Sequence, residues 1–364
     1  MNQEKYLQMN AEELHRSFMP DIMKDPKKAK SIIQEMQKAE RYENDFEFRA
    51  FVQTGEALIF LLGGEPKKAV ALCGGLIERT GALELWQLMA ANHNLIGSAY
   101  LMLGIPEYAL EHYKAAVETE KERKLSSITS LACNNIALIF MHRKAYEKVC
   151  RYLYLAIEAL ERAKEPQRVC LAKLLQYIGN LVPALCHAGR LSEAQPLLER
   201  IKEIWEQEEN VLTAGYFYCY GRMFYDFYSA RFEEGKAMYH KAKSYISEED
   251  VGKRFWLICD FLEPCETFDQ EVGFYERELL SAQRMQESGS RPADSRLHYF
   301  LRKYYRSKGS RDRFEEVNEE YIRLLERDLK AERNRQTSSL QLVDALLENS
   351  GGGGRPRKKK GGGS

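Results

Sequence analysis

Four asparagines have the spacing that most directly suggests chemistry. Asn94 and Asn134 stand 40 residues apart, Asn135 adjoins the second, and Asn180 falls one position off the register of a third occurrence. A carboxamide both donates and accepts, so a ladder of amides along one wall would hold the backbone of an extended peptide. Asparagine also serves on helix surfaces with no task beyond contact with water, and both readings stand. A second candidate is GYFYCYGRMFYDFYSARF at 215–232. Its residues Phe217, Tyr220, Phe224, Phe227 and Tyr228 share one helical face, while Tyr218 and Tyr225 point elsewhere with Arg222 between them. A helix apolar all round is normally buried on most sides, which makes thick helix packing one reading. The other is a ligand pocket in which Tyr220 and Tyr228 supply apolar walls with polar tips and Arg222 pairs with a carboxylate or phosphate. Arg254 and Trp256, on the next apolar stretch, would extend it.

Catalytic patterns are not found. The seven histidines include no H-E-x-x-H pair and no zinc-like spacing from a cysteine. G-x-S-x-G, a P-loop and G-x-G-x-x-G are lacking too. The carboxylates lie mostly in runs such as EQEEN and EEVNEE, which suit solvated faces. The eight cysteines sit singly and mostly in apolar stretches, as small buried hydrophobes in a reducing compartment would. The expectation is a non-enzyme without cofactor or metal.

The elements that must position these residues are repeats. DPKKAKS, EPKKAVA and IPEYALE place Pro26, Pro66 and Pro106 at intervals of 40, with Ala29, Ala69 and Ala109 one turn behind. Proline suits the first position of a helix, where its missing N–H leaves nothing unpaired. An alanine at fixed register marks a crossing too close for a larger side chain. A period of this size is the mark of stacked helical units. In the stretch IGSAYLMLGIPEYALEHYKAAVE the register runs Gly97, Tyr100, Gly104, Ala109, Tyr113 and Ala116. Ala137, Phe140, Tyr146, Val149 and Ala156 repeat it, and weaker versions follow at Ala194 and Gly235.

This order of small and aromatic residues resembles the tetratricopeptide repeat (TPR), with units lengthened from the usual 34 residues to about 40. The resemblance covers nearly all of residues 10–330, strongest over 90–160. It implies an all-α, right-handed TPR-like superhelical solenoid of seven or eight helix pairs over residues 1–310, then a capping or signalling helix over 311–349. It further implies a groove, lined by the first helices, in which asparagines hold a peptide or protein partner.

Residues 311–349 space Phe314, Val317, Tyr321 and Leu324 as the start of a heptad, which Asp328 then breaks. Leu325 and Leu329 carry the apolar face one position over, and Leu340, Val343 and Leu347 resume it. Either the helix caps the array, or it dimerises and signals onward. In the second case the chain resembles bacterial TPR sensor modules that precede diguanylate cyclase domains, with no GGDEF motif of its own. A stand-alone peptide-responsive receptor or scaffold is the alternative.

Charge sharpens the picture. Lys and Arg number 54 and Asp and Glu 54, but five of the bases lie in RPRKKK, leaving residues 1–350 with 49 against 54, a net of about −5. No nucleic-acid partner is expected for that body, which lacks a basic balance. No signal peptide or membrane-spanning run is apparent, so a cytoplasmic location without membrane contact is expected. The last stretch, 350–364, sets RPRKKK between glycine runs as an engineered flexible tail does. It is either an inert tag or a tethered ligand at raised local concentration.

Overall fold

Seven turns at nearly constant spacing organise the chain. In the computed structural model the amides of Glu65, Ile105, Ala145, Arg190, Arg231, Gln270 and Ser310 each donate to the carbonyl five residues back, at 2.8–3.1 Å. This 6→1 closure ends a helix and needs a left-handed residue just before the donor. Gly64, Gly104, Gly189 and Gly309 supply it freely, at φ 66–77°. Lys144, Ala230 and Asp269 supply it under strain, at φ 53°, 59° and 50°.

The structure describes residues 3–9, 13–14, 18, 22–23, 25–122, 127–163, 167–207, 211–289 and 293–350. The tail at 351–364 lies outside them, as do the side chains of Leu340, Val343 and Leu347. Among the described residues the chain opens with helices α1 (Gln3–Gln8), α2 (Pro26–Met36) and α3 (Glu40–Asn44). Seven pairs follow among the described residues. They are α4 (Phe46–Leu62) with α5 (Pro66–Ala82), α6 (Trp86–Met102) with α7 (Pro106–Glu122), and α8 (Ser127–His142) with α9 (Tyr146–Arg162). Next come α10 (Gln167–His187) with α11 (Leu191–Gln207), and α12 (Val211–Tyr228) with α13 (Phe232–Ser244). The last are α14 (Val251–Thr267) with α15 (Val272–Glu287), and α16 (Ser295–Ser307) with α17 (Arg311–Ser350). Helices pack on their neighbours in order, which makes the fold an all-α solenoid.

The expected repeat is what the core is built from. Prolines 26, 66 and 106 open α2, α5 and α7, and Asp25 caps the first of these by accepting from the Lys28 amide at 3.1 Å. Ala29, Ala69, Ala109, Val149 and Ala194 are fully buried at their crossings. At Gly97 a β-carbon would lie 2.7 Å from the Tyr113 ring, so only glycine lets α6 approach α7 this closely. The eight cysteines are free thiols, all buried except the half-buried Cys170. Burial pushes the thiols of Cys73 and Cys133 up to about 12, consistent with inert packing residues.

Among the described residues one helix is long and apolar enough to cross a membrane, Val169–His187, but 61% of it is buried inside the protein. Its apolar side chains, Ile178, Leu181, Val182 and Leu185 among them, are spent on the central core cluster. The stripe on α17 is spent similarly: Val317 and Leu324 are buried, and Tyr321 packs near Tyr299 of α16. Asp328, which interrupts the heptad, accepts from Ser295 Oγ at 3.0 Å and so ties α17 to α16. Ile322, Leu325 and Leu329, one position over on the helix, remain exposed.

Candidate functional site

Curvature defines where a ligand would sit. Lys144, in the turn between α8 and α9, pairs with Glu263 of α14 at 2.8 Å, although 119 residues separate them. The first helices α10 and α12 lie between those two units, so the row of first helices must be on the inside of the bend. Its surface is a line of half-buried side chains rather than a sealed core.

The asparagines lie on this row. Asn135 Nδ2 of α8 donates to Asn94 Oδ1 of α6 at 3.4 Å, and Asn180 Nδ2 of α10 donates to Asn134 Oδ1 at 3.2 Å. Asn94 and Asn134 are buried, while Asn135 and Asn180 are half-buried. The four amides thus form a ladder joining three successive first helices. Each amide has more hydrogen-bonding capacity than one such bond uses.

Farther along, the row becomes aromatic and acidic. His187, ending α10, stacks on Tyr146 at 4.4 Å and meets Tyr228 edge-on at 5.2 Å. The Tyr228 hydroxyl and His187 Nδ1 share a short hydrogen bond. Tyr220 stacks on Tyr216 at 5.8 Å, and its hydroxyl donates to Asp260 Oδ2 at 3.0 Å. Burial dominates the electrostatics here. It pushes the Asp260 carboxyl up to about 6, Glu263 adding to the rise while the Tyr220 bond and Arg296 oppose it. Burial, together with the Glu263 charge, pushes the Tyr146 phenol up to about 12. It lowers His187, whose ring is therefore neutral near pH 7.

Tyr220 and Tyr228 are thus brought together on one wall, and Arg222 is not. Two residues from Tyr220 on the helix, it points away, and its Nε donates to both oxygens of Asp226 at 2.9 Å. Arg231 also donates to Asp226, at 2.6 Å, so Asp226 holds two guanidinium groups on the far side of α12. Arg254 is likewise engaged, donating to the Ile246 and Ser247 carbonyls at 3.1 Å. Trp256 lies under Arg296 at 4.5 Å. Neither extends the aromatic wall.

Sequence reasoning missed Tyr146, His187, Asp260 and Glu263. A signal was present: Tyr220 and Asp260 stand 40 residues apart, and His187 and Tyr228 stand 41 apart. The repeat register pairs unlike residues as readily as like ones. Among the described residues no group of three or more His, Cys, Asp or Glu side chains is placed to hold a metal ion.

No family model matches the chain, and no curated protein matches it. Solved structures do. The chain is similar to NprR in complex with its cognate peptide NprX, at 12% identity and a TM-score of 0.55, over 93% of this chain and 97% of that one. It is also similar to BtubC (BKLC) from P. vanneervenii, at 19% identity and a TM-score of 0.47, over 58% of this chain and 86% of that one. At such identities the likeness to NprR is one of fold.

Proposed function

We propose that the chain is a non-catalytic, cytoplasmic receptor module of bacterial signalling that binds an extended peptide along its row of first helices. The observation carrying this is the amide ladder on the row of first helices, continued by a half-buried wall of tyrosines and carboxylates on two further first helices. Amides at a period matched to the units suit a peptide backbone, which presents donors and acceptors at regular intervals. Asn94, Asn134, Asn135 and Asn180 would hold the backbone, and Tyr220 and Tyr228 would contact side chains. That NprR, a protein of similar fold, is solved with its cognate peptide supports the reading.

The bound state would pass along α17 to an output domain, diguanylate-cyclase-like by the sequence resemblance, with the exposed Ile322, Leu325 and Leu329 pairing two copies. A second reading has its own support. The heptad stripe is already packed on α16, as a cap on a stand-alone receptor would be, and RPRKKK could then act as a tethered ligand.

The test is selection from a random decapeptide pool, followed by titration of the enriched peptide. Asn94→Ala with Asn134→Ala should weaken it by about 1 kcal/mol or more per lost hydrogen bond. A pool that yields no enriched peptide, or an affinity indifferent to both substitutions, would remove the amide ladder as a peptide site.

A further inference from the structure

The aromatic stretch of the inner wall carries two carboxylates one turn apart, Asp260 and Glu263, and their surroundings differ in a telling way. Asp260 has no ion pair among the described residues; its partner is the neutral Tyr220 hydroxyl. The nearest basic group named around it, Arg296, is turned onto the Trp256 ring and toward Asp294. Glu263, by contrast, already holds an ammonium, that of Lys144. The Lys144 side chain is 71% exposed, so this ion pair is screened and readily exchanged. It also reaches Glu263 from a left-handed backbone position that lysine does not favour. Near Glu263 stand the rings of Tyr146 and Tyr228, close enough for their phenols to feel its charge, and aromatic faces attract cations. The body of the chain is acidic, with 49 basic against 54 acidic residues over 1–350.

We infer that Asp260 and Glu263, walled by Tyr146 and Tyr228, form the part of the groove that accepts a basic side chain of the bound peptide, with Lys144 as the internal competitor it displaces. This rests on the first-helix row being the peptide groove. The ligand chemistry follows: an ammonium or guanidinium on an extended backbone, matched to two carboxylates of which one is uncompensated and the other weakly occupied. Displacing Lys144 would release the chord between the α8–α9 turn and α14, which is a direct route from ligand to solenoid curvature.

The experiment uses the full chain with Arg355, Arg357, Lys358, Lys359 and Lys360 changed to Gln, so that its own tail does not compete. Fluorescence anisotropy then compares a labelled GRPRKKKG peptide with GQPQQQQG at physiological salt. The basic peptide should bind at least about tenfold more tightly, the scale expected for a buried charge interaction. Glu263→Gln, and separately Asp260→Asn, should each remove most of that preference. Lys144→Met should tighten the basic peptide by about threefold, the scale of a surface ion pair, and leave the neutral one unchanged. Circular dichroism checks that each variant is folded, and Lys144→Met, at an exposed position, gives a readout that does not depend on the carboxylate variants folding.

A preference that survives both carboxylate changes overturns the inference, as does failure of the basic peptide to bind, or Lys144→Met weakening it. The groove reading fails by a different route. If a peptide selected from the random pool responds to Asn134→Ala but not to Glu263→Gln, the groove stands and the cation subsite falls. If it ignores Asn134→Ala, the groove reading falls with it.

Discussion

The joints between units change chemistry halfway along the array. In the first half several are neutral: Thr54 Oγ1 donates to Asn92 at 3.2 Å, and the asparagine ladder links α6, α8 and α10, beside charged ones such as Arg143 to Glu107 at 2.6 Å and the Thr129 amide to Glu120 at 2.6 Å. From α9 onward phenols donate to carboxylates of the following unit: Tyr154 to Glu193 at 3.0 Å, Tyr220 to Asp260 at 3.0 Å, and Tyr239 to Glu278 at 2.6 Å. Packing changes in parallel, from crossings set by Ala69, Ala109 and Gly97 to crossings filled by Phe227, Tyr239 and Phe261. The same 40-residue period therefore supports two kinds of side-chain joint, amide–amide links at close crossings and phenol–carboxylate links at thick ones. Charge-assisted bonds are the stronger kind, but they tie folding to ionisation.

The largest test of this contrast is steric. Gly97→Val should cost about 3 kcal/mol, because Tyr113 is fully buried, bonded to Ser98 and has nowhere to move. Gly179→Val in the second half meets Phe217 at an even shorter 2.2 Å, yet should cost less, about 1–2 kcal/mol, because Phe217 is half-buried and its ring can swing toward the groove. Thermal melts of the two variants decide it. A larger loss at Gly179 would mean that the aromatic half is packed as rigidly as the alanine half, and the distinction would fail.

Much of the fold could be read from the sequence because its determinants are single residue types recurring at one interval. Pro26, Pro66 and Pro106 start helices, the alanines behind them mark crossings, and Gly64, Gly104, Gly189 and Gly309 mark turns. The asparagine positions were visible for the same reason. Tyr220 stood out by its aromatic stretch, but its partner Asp260 did not, since a pair of unlike residues at the repeat interval is not seen as a recurrence. Arg222 pairs with Asp226 one turn on, the local i, i+4 partner, which is legible in the sequence beside the pocket reading that gives it a ligand. The Lys144–Glu263 contact had no sequence signal at all, because it depends on the curvature accumulated over three units.

Acidification is the next test, and a histidine pair in the first half and one carboxyl in the second should respond with opposite sign. In the first half His93 and His112 bring their Nδ1 atoms within 3.0 Å. Burial, and for His112 the neighbouring His93, depresses their proton affinity, that of His112 from 6.5 to about 4. Unfolding lets such a histidine take up a proton between those values, so its contribution to stability is present above pH 6.5 and lost as pH falls toward 4. Asp260 works the other way. Its folded value near 6 lies above the ordinary 3.8, so the folded chain holds a proton that the unfolded chain has released. That contribution is present at low pH and lost as pH rises through 6. The two offset each other in the wild type. His112→Gln should therefore reduce the loss of stability between pH 7 and pH 5, by up to about 2 kcal/mol, and Asp260→Asn should steepen it. Melts at the two pH values check both signs; parallel shifts in the two variants would show that the two groups do not act in opposite directions.

The finest test concerns the turns, where the neutral and charged halves meet at Lys144. This residue and Ala230 occupy equivalent left-handed positions at φ 53° and 59°, where four sister turns use glycine. Replacing either by glycine relieves the backbone by about 1 kcal/mol and gives part of that back through the greater freedom of the unfolded chain. Ala230→Gly removes only a methyl group, so it measures this net relief. Lys144→Gly gains the same relief but gives up the ion pair to Glu263. The difference between the two melts is then the worth of the chord across the groove, expected at about 0.5 kcal/mol for so exposed a pair. A ligand could exchange a contact of that size at little cost. A difference of several kcal/mol would instead make Lys144 a structural staple, too strongly held for a basic side chain to displace.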